Sequence, residues 1–306
     1  MKFTYFSAVT LFTAICSHTA YADELRLRGG VASGVGSDYI YSRDRLNGFE
    51  DIVADYGLGG MGSASYRMDD LYAGVGLELG VQFGVLAGDD STTNDDCDAA
   101  TFLGLNDNCH AQVNTENLTS FAEADALARY TLGNGRTALL GGLSVLTFRN
   151  ELQVEHLFEG GDEFFIDRDT EFTGLGLKLG ARHVVPLQNG MDLNLEAMIG
   201  RYRGDRTMQI VENVTELGQP DARFDARFDE TIDVTSFELT PSVAIPAQWA
   251  GDGAVMEFGV SYKLLQSAVD TRNVVDHEGT DAFEAGKIDD DVSATSVFAG
   301  LTIPFK

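Results

Sequence analysis

From Leu71 to Ala87 the chain alternates without a break. Leu71, Ala73, Val75, Leu77, Leu79, Val81, Phe83 and Val85 take every second position, with Tyr72, Gly74, Gly76, Glu78, Gly80, Gln82 and Gly84 between them. A period of two is the signature of a β-strand, whose successive side chains leave opposite faces. The run is far longer than the ~5–6 residues of an ordinary soluble strand. One face is continuously apolar, and the other is glycine with a carboxylate and an amide. That pairing suits a strand whose apolar face meets lipid, where about ten residues suffice to cross.

The pattern recurs. Leu175, Leu177, Leu179, Ala181 and Val185 alternate with Gly174, Gly176, Lys178, Gly180 and Arg182. Leu193, Leu195, Ala197 and Ile199 alternate with Asn194, Glu196 and Gly200, and Met256, Phe258, Val260, Tyr262 and Leu264 with Glu257, Ser261 and Lys263. The chain closes on Val297, Ala299, Leu301, Ile303 and Phe305. Ten strands are predicted, at 24–41, 54–68, 71–87, 119–132, 136–158, 171–187, 191–211, 231–249, 254–273 and 290–305. Tight turns are expected at Asp69-Asp70, Gly133-Asn134-Gly135, Gln188-Asn189-Gly190 and Ala250-Gly251-Asp252-Gly253, all residue types that favour hairpins. The intervening connections are long and polar. The expected fold is therefore an all-β, transmembrane, antiparallel up-and-down barrel, with short periplasmic turns and long acidic extracellular loops. A soluble acidic sandwich is the competing fold.

Net charge is −27, with 21 Lys+Arg against 48 Asp+Glu. Segments 42–55, 88–118, 159–171, 212–230 and 273–291 account for most of it, with thirty acidic residues against six basic. So negative a surface repels phosphate backbones, which argues against a nucleic-acid partner. Residues 1–22 read as a signal peptide, with Lys2, an apolar run from Tyr5 to Cys16, and Ala20-Tyr21-Ala22 as the cleavage pattern. The barrel then occupies 23–306. No stretch offers 18 uninterrupted apolar residues for a spanning helix. Cys97 and Cys109 remain after the leader, both in a polar stretch of an exported chain, and a disulfide between them would contribute about 3 kcal/mol. A zinc site that adds His110 is the alternative, though it lacks C-x-x-C spacing. No cofactor is expected.

The expected lumen contains Arg26, Arg28, Arg67, Glu78, Glu123, Asp125, Arg129, Arg149, Glu151, Lys178, Arg182, Glu196, Glu238, Glu257 and Lys263. Both signs are abundant, so these groups either line a solvated eyelet or pair across the barrel and plug it. Even-numbered residues face inward on both the sixth and seventh strands, so an odd-numbered turn sets Arg182 opposite Glu196. Three functions follow. The first is a passive pore for small solutes or ions, made cation-preferring by its acidic mouth. The second is a plugged structural or adhesive barrel acting through its loops. Its best features are the Cys97–Cys109 loop and the repeat Asp221-Ala222-Arg223-Phe224-Asp225-Ala226-Arg227-Phe228-Asp229, read as a solvated loop or as helical turns. The third is a rim enzyme centred on Asp276-His277, which lacks a second acidic pair or a placed nucleophile; the expectation is no catalysis. Trp249 is expected at the membrane interface beside a periplasmic turn.

The run Phe172-Thr173-Gly174-Leu175-Gly176-Leu177-Lys178-Leu179-Gly180 resembles the glycine-punctuated strand of the Legionella-type major outer-membrane protein family. Val185-Pro186-Leu187-Gln188-Asn189-Gly190 and then Leu193 to Gly200 continue the likeness. The resemblance covers about the last two-thirds of the chain and implies a pore-forming barrel in the outer membrane of a Gram-negative bacterium. Phe298 to Phe305 also resembles the terminal strand read by the barrel-assembly machinery, with Lys306 a departure because that signal ends on the aromatic residue. The expected partners are outer-membrane lipid and lipopolysaccharide and the assembly machinery; a homo-oligomer is one open alternative to a monomer.

Overall fold

The computed structural model describes residues 24–39, 52–72, 74–94, 111–158, 163–215, 221–270 and 289–305, with Gly161 and Gly218. The 1–22 leader, Cys97, Cys109, His110 and Asp276-His277 lie outside the described residues. Ten strands form one sheet: β1 (Glu24–Tyr39), β2 (Ile52–Tyr72), β3 (Val75–Asn94), β4 (Ala111–Thr131), β5 (Thr137–Phe158), β6 (Glu163–Pro186), β7 (Asp192–Thr215), β8 (Ala222–Pro246), β9 (Val255–Asp270) and β10 (Asp289–Pro304). Each pairs antiparallel with the next, and β1 pairs with β10 from Glu24↔Pro304 to Val35↔Ser293, so the sheet closes on itself. Closure removes the unpaired edges that an open sheet of this length would present.

The facing follows the period-two pattern. Leu177 and Leu179 are 64% and 60% exposed on the outer wall, while Lys178 between them is buried inside. Leu139, Leu143, Val145, Leu195, Ile199, Phe237 and Val297 add to the outer apolar surface. A continuous apolar belt of this kind is tolerated only where an apolar medium covers it. Arg182 stands opposite Glu196 in register, across the three-residue 3₁₀ turn Gln188–Gly190.

The barrel changes character along its axis. Strands β4 to β8 run well past the apolar belt, so parts of the expected loops are ladder instead. On this projecting section the inner face mixes Leu152, Val154, Ile166 and Ile210 with buried Asn150, His156, Arg168, Thr170 and Glu212, while Asp169, Glu171 and Asp205 lie outside. Three expectations are corrected by the structure. Arg149 and Glu151 face outward, joined to each other at 3.0 Å, and Phe148, Asn150 and Leu152 face in. From Phe148 to Glu155 β5 alternates again, but past the apolar belt its outer face meets water, so the charged side points out. The Asp-Ala-Arg-Phe repeat is neither a loop nor a helix but the first part of β8. Its outer face carries Arg223–Asp225 and Arg227–Asp229 pairs at 3.1 and 3.0 Å, with Phe224 and Phe228 half-buried on the other face. β7 runs alongside with its backbone groups open, and pairing with them outweighs a local helix.

The third correction concerns the first tight turn. It comes after Tyr72, where Gly74 takes φ +80°, and not at Asp69-Asp70, which belong to β2. Only glycine enters that region without steric cost. Asp69 instead turns its carboxylate to Arg67 and Arg129. Trp249 lies in the 3₁₀ turn Gln248–Ala250 at the short-turn end and is 75% exposed.

Candidate functional site: the barrel interior

The interior is organised in tiers. Nearest the short turns, Arg67 is held by Asp69 at 2.5 Å and Glu24 at 2.6 Å, and Arg129 donates to Asp69 at 2.7 Å. Above them Arg182 binds both Glu78 oxygens, at 3.0 and 3.1 Å, and both Glu196 oxygens, each at 3.2 Å. Arg28 reaches Glu257 at 2.9 and 3.0 Å, and Arg26 lies 3.6 Å from Glu196. Guanidinium forks suit this work, because one planar group can satisfy two carboxylates at once.

The next tier centres on Glu123, which is 2% exposed. Lys178 meets it at 2.7 Å, and Lys263 and the Tyr202 hydroxyl also bond to it. Lys178 donates to Asp125 at 2.9 Å, and Lys263 donates to Gln82 at 2.7 Å and lies 3.8 Å from Glu238. Glu78, Glu123, Asp125, Arg129, Lys178, Arg182, Glu196, Glu238 and Lys263 thus all lie on the inner face, in one cluster around Arg182 and a second around Glu123. Seven cations meet eight carboxylates there, counting Glu24, Arg26, Arg28, Arg67, Asp69 and Glu257 with those nine. Together the two clusters form a nearly neutral network of charge. Such pairing offsets the several kcal/mol per ion that removal from water costs. A cavity of about 60 Å³ remains among Arg26, Glu78, Lys178 and Glu238, room for a few waters and no larger solute.

Over this polar tier lies an apolar septum, and every strand contributes to it. Ala32, Met61, Leu86, Phe121, Phe148, Phe172, Tyr202, Val234, Leu265 and Ala294, one from each strand in turn, are all buried in one cluster. Phe121, Phe148 and Phe172 stand abreast in register across β4, β5 and β6. Lys263 places its ammonium 5.1 Å from the centre of the Phe121 ring, joining septum to network. Beyond it Arg206 binds Glu230 and donates to the Ser267 and Val269 carbonyls at 3.3 and 3.2 Å, bracing β7 against β9.

The inward glycines serve the septum rather than a solvated eyelet. A Cβ on Gly84 would strike the Phe121 ring, and one on Gly174 would lie 2.5 Å from Cζ of Phe172. The rings fold over glycine, which gives them room against the inner wall. Gly174→Ala is therefore expected to displace a ring that is 1% exposed, lowering stability by about 1–3 kcal/mol. The urea midpoint of the refolded protein reads this effect; an unchanged midpoint would show that the ring has other room.

The sequence reading missed Phe121, Phe148, Phe172, Tyr202 and Arg206. Four of them carried a usable signal: Phe121 shares the parity of Glu123, Phe172 that of Lys178, and Tyr202 and Arg206 that of Glu196. Attention to charge alone passed over the rings.

No family model and no curated protein matches the chain. Among solved structures the protein is similar to the outer membrane protease OmpT from Escherichia coli, at 9% identity and TM-score 0.51, over 94% of this chain and 98% of that one. A major outer membrane protein from Thermus thermophilus matches at 12% identity and TM-score 0.30, over 91% and 99% of the two chains. The translocator domain of the autotransporter NalP from Neisseria meningitidis matches at 12% and 0.34, over 97% and 94%. At such identities the likeness to OmpT concerns architecture alone, and the architecture is that of an outer-membrane β-barrel.

Proposed function

We propose that the protein is a sealed outer-membrane barrel of a Gram-negative bacterium, structural or adhesive in role, acting through its wall and its acidic outer surface. The septum carries this reading. Ten strands make a narrow barrel, just above the eight whose lumen side chains fill, and here a ring of apolar side chains closes over paired charges. Water and ions crossing it would have to pass among buried phenyl groups. The protein is read as non-enzymatic, so peptide and phospholipid substrates are expected to survive incubation with it.

A cation-preferring diffusion pore is the second reading. It is favoured by the polar interior that runs from the short-turn end up to Tyr202, and by the resemblance to the Legionella-type family. The near-neutral network would add little preference, leaving the acidic loops to supply it. Purified protein in planar bilayers under a KCl gradient separates the two. The sealed barrel is expected to give no unitary steps; steady steps with a cation-selective reversal potential would establish the pore instead.

A further inference from the structure

We propose that Arg201 and Arg203 form a docking site on the outer wall for the phosphorylated headgroup of a membrane lipid; this rests on the outer-membrane reading above. The outer face of β7 climbs through Leu193, Leu195, Ala197 and Ile199 and then turns abruptly basic. Arg201 stands directly across from Leu177 on β6, and Arg203 from Leu175, both leucines exposed. The two guanidiniums thus sit where the apolar belt ends. A charge on the lipid face costs about 2–4 kcal/mol at the midplane and little at the interface, which sets this pair at headgroup level.

Arg203 also retains unspent charge. Arg201 has a 75% exposed side chain and a single bond to Asp233, at 3.1 Å. Arg203 is exposed and makes no ion pair among the described residues. The other outward arginines of the loop-end half are engaged: Arg149 with Asp169 at 2.7 Å, Arg223 with Asp225, and Arg227 with Asp229. In a chain of net charge −27, Arg203 is the outward arginine on the loop-end half of the described wall that no carboxylate pairs, and Arg201 beside it is held by one hydrogen bond. Residues on alternate strand positions have Cα atoms about 7 Å apart, and each guanidinium can donate a parallel pair of N–H groups to a phosphate. Asp233 and Asp205 bound the site above and to one side, so an anion approaches from the membrane side. The occupant that satisfies both the arginines and the exposed Leu175 and Leu177 carries phosphate and acyl chains together. That describes a lipid, not free phosphate.

The test uses the full chain refolded into phosphatidylcholine vesicles, as wild type, as R201Q/R203Q, and as the control R223Q/R227Q. Each is exchanged into micelles with added lipid A, and retained lipid is read by native mass spectrometry. Wild type and control are expected to retain lipid A, and R201Q/R203Q to retain roughly tenfold less or lower still, the loss of charge-assisted hydrogen bonds. Heat-dependent gel mobility confirms that each barrel is folded. Equal retention by R201Q/R203Q, an equal loss in the control, or displacement of lipid A by low-millimolar inorganic phosphate would each overturn the proposal. Failure of the wild type to enter vesicles at all would overturn the membrane reading, and this site with it, and is seen before lipid A is added.

Discussion

Replacing Phe121 and Phe172 together by alanine is expected to convert an electrically silent barrel into a conducting one. Both rings are buried in the septum, flanking Phe148 in register, and both fold over inward glycines that leave nothing behind when the ring goes. Deleting them joins the polar tier below to the projecting section above. Each Phe→Ala change in a packed core costs about 3–5 kcal/mol, so the single variant F172A accompanies the double one. It is expected to show brief, infrequent steps where the double variant shows sustained ones. The ladder hydrogen bonds of ten closed strands do not depend on either ring, and the variants should keep the heat-dependent mobility of a folded barrel. Folded variants that stay silent in planar bilayers would show that the closure lies elsewhere.

Removing the central carboxylate is the second large effect. E123Q leaves Lys178 and Lys263 without the group that both contact, and both are buried. Asp125 and Glu238 remain near one ammonium each, the latter at 3.8 Å. Breaking a buried ion pair from one side typically costs about 3–5 kcal/mol, because it strands a charge. A loss of that order is expected in the denaturant midpoint of E123Q. Adding K263M to E123Q should return part of it, since the second change removes a stranded charge, and the double-mutant cycle measures the coupling directly. A loss below about 1 kcal/mol for E123Q would mean that water or a neighbouring carboxylate already carries the load.

Much of this is legible along the chain. Alternation in 71–87, 173–187 and 191–199 tells which side chains face lipid, and the parity of β6 and β7 places Arg182 against Glu196 without coordinates. Alternation fails where its physical basis lapses. β5 is apolar on both faces only up to Thr147; beyond it the strand alternates again but leaves the apolar belt, so the charged side, with Arg149 and Glu151, turns outward instead of into the lumen. The Asp-Ala-Arg-Phe repeat has a period of four in identity but a period of two in polarity, and the neighbouring strand decides between them. Asp69-Asp70 has turn chemistry, yet two arginines draw Asp69 into the interior and the turn moves on to the glycine at 74.

Strand number and the facing of the segments inside the apolar belt are local properties. They depend on residues within a few positions of one another, so the sequence by itself determines them. Whether the lumen is open depends on side chains that meet across the barrel, such as Arg28 with Glu257 or Lys263 with Glu123, 229 and 140 residues apart. Their contact is set by the circumference that ten strands enclose and by the volume of the rings that fill it. No local pattern encodes that comparison of volume with space, and only the closed structure makes it.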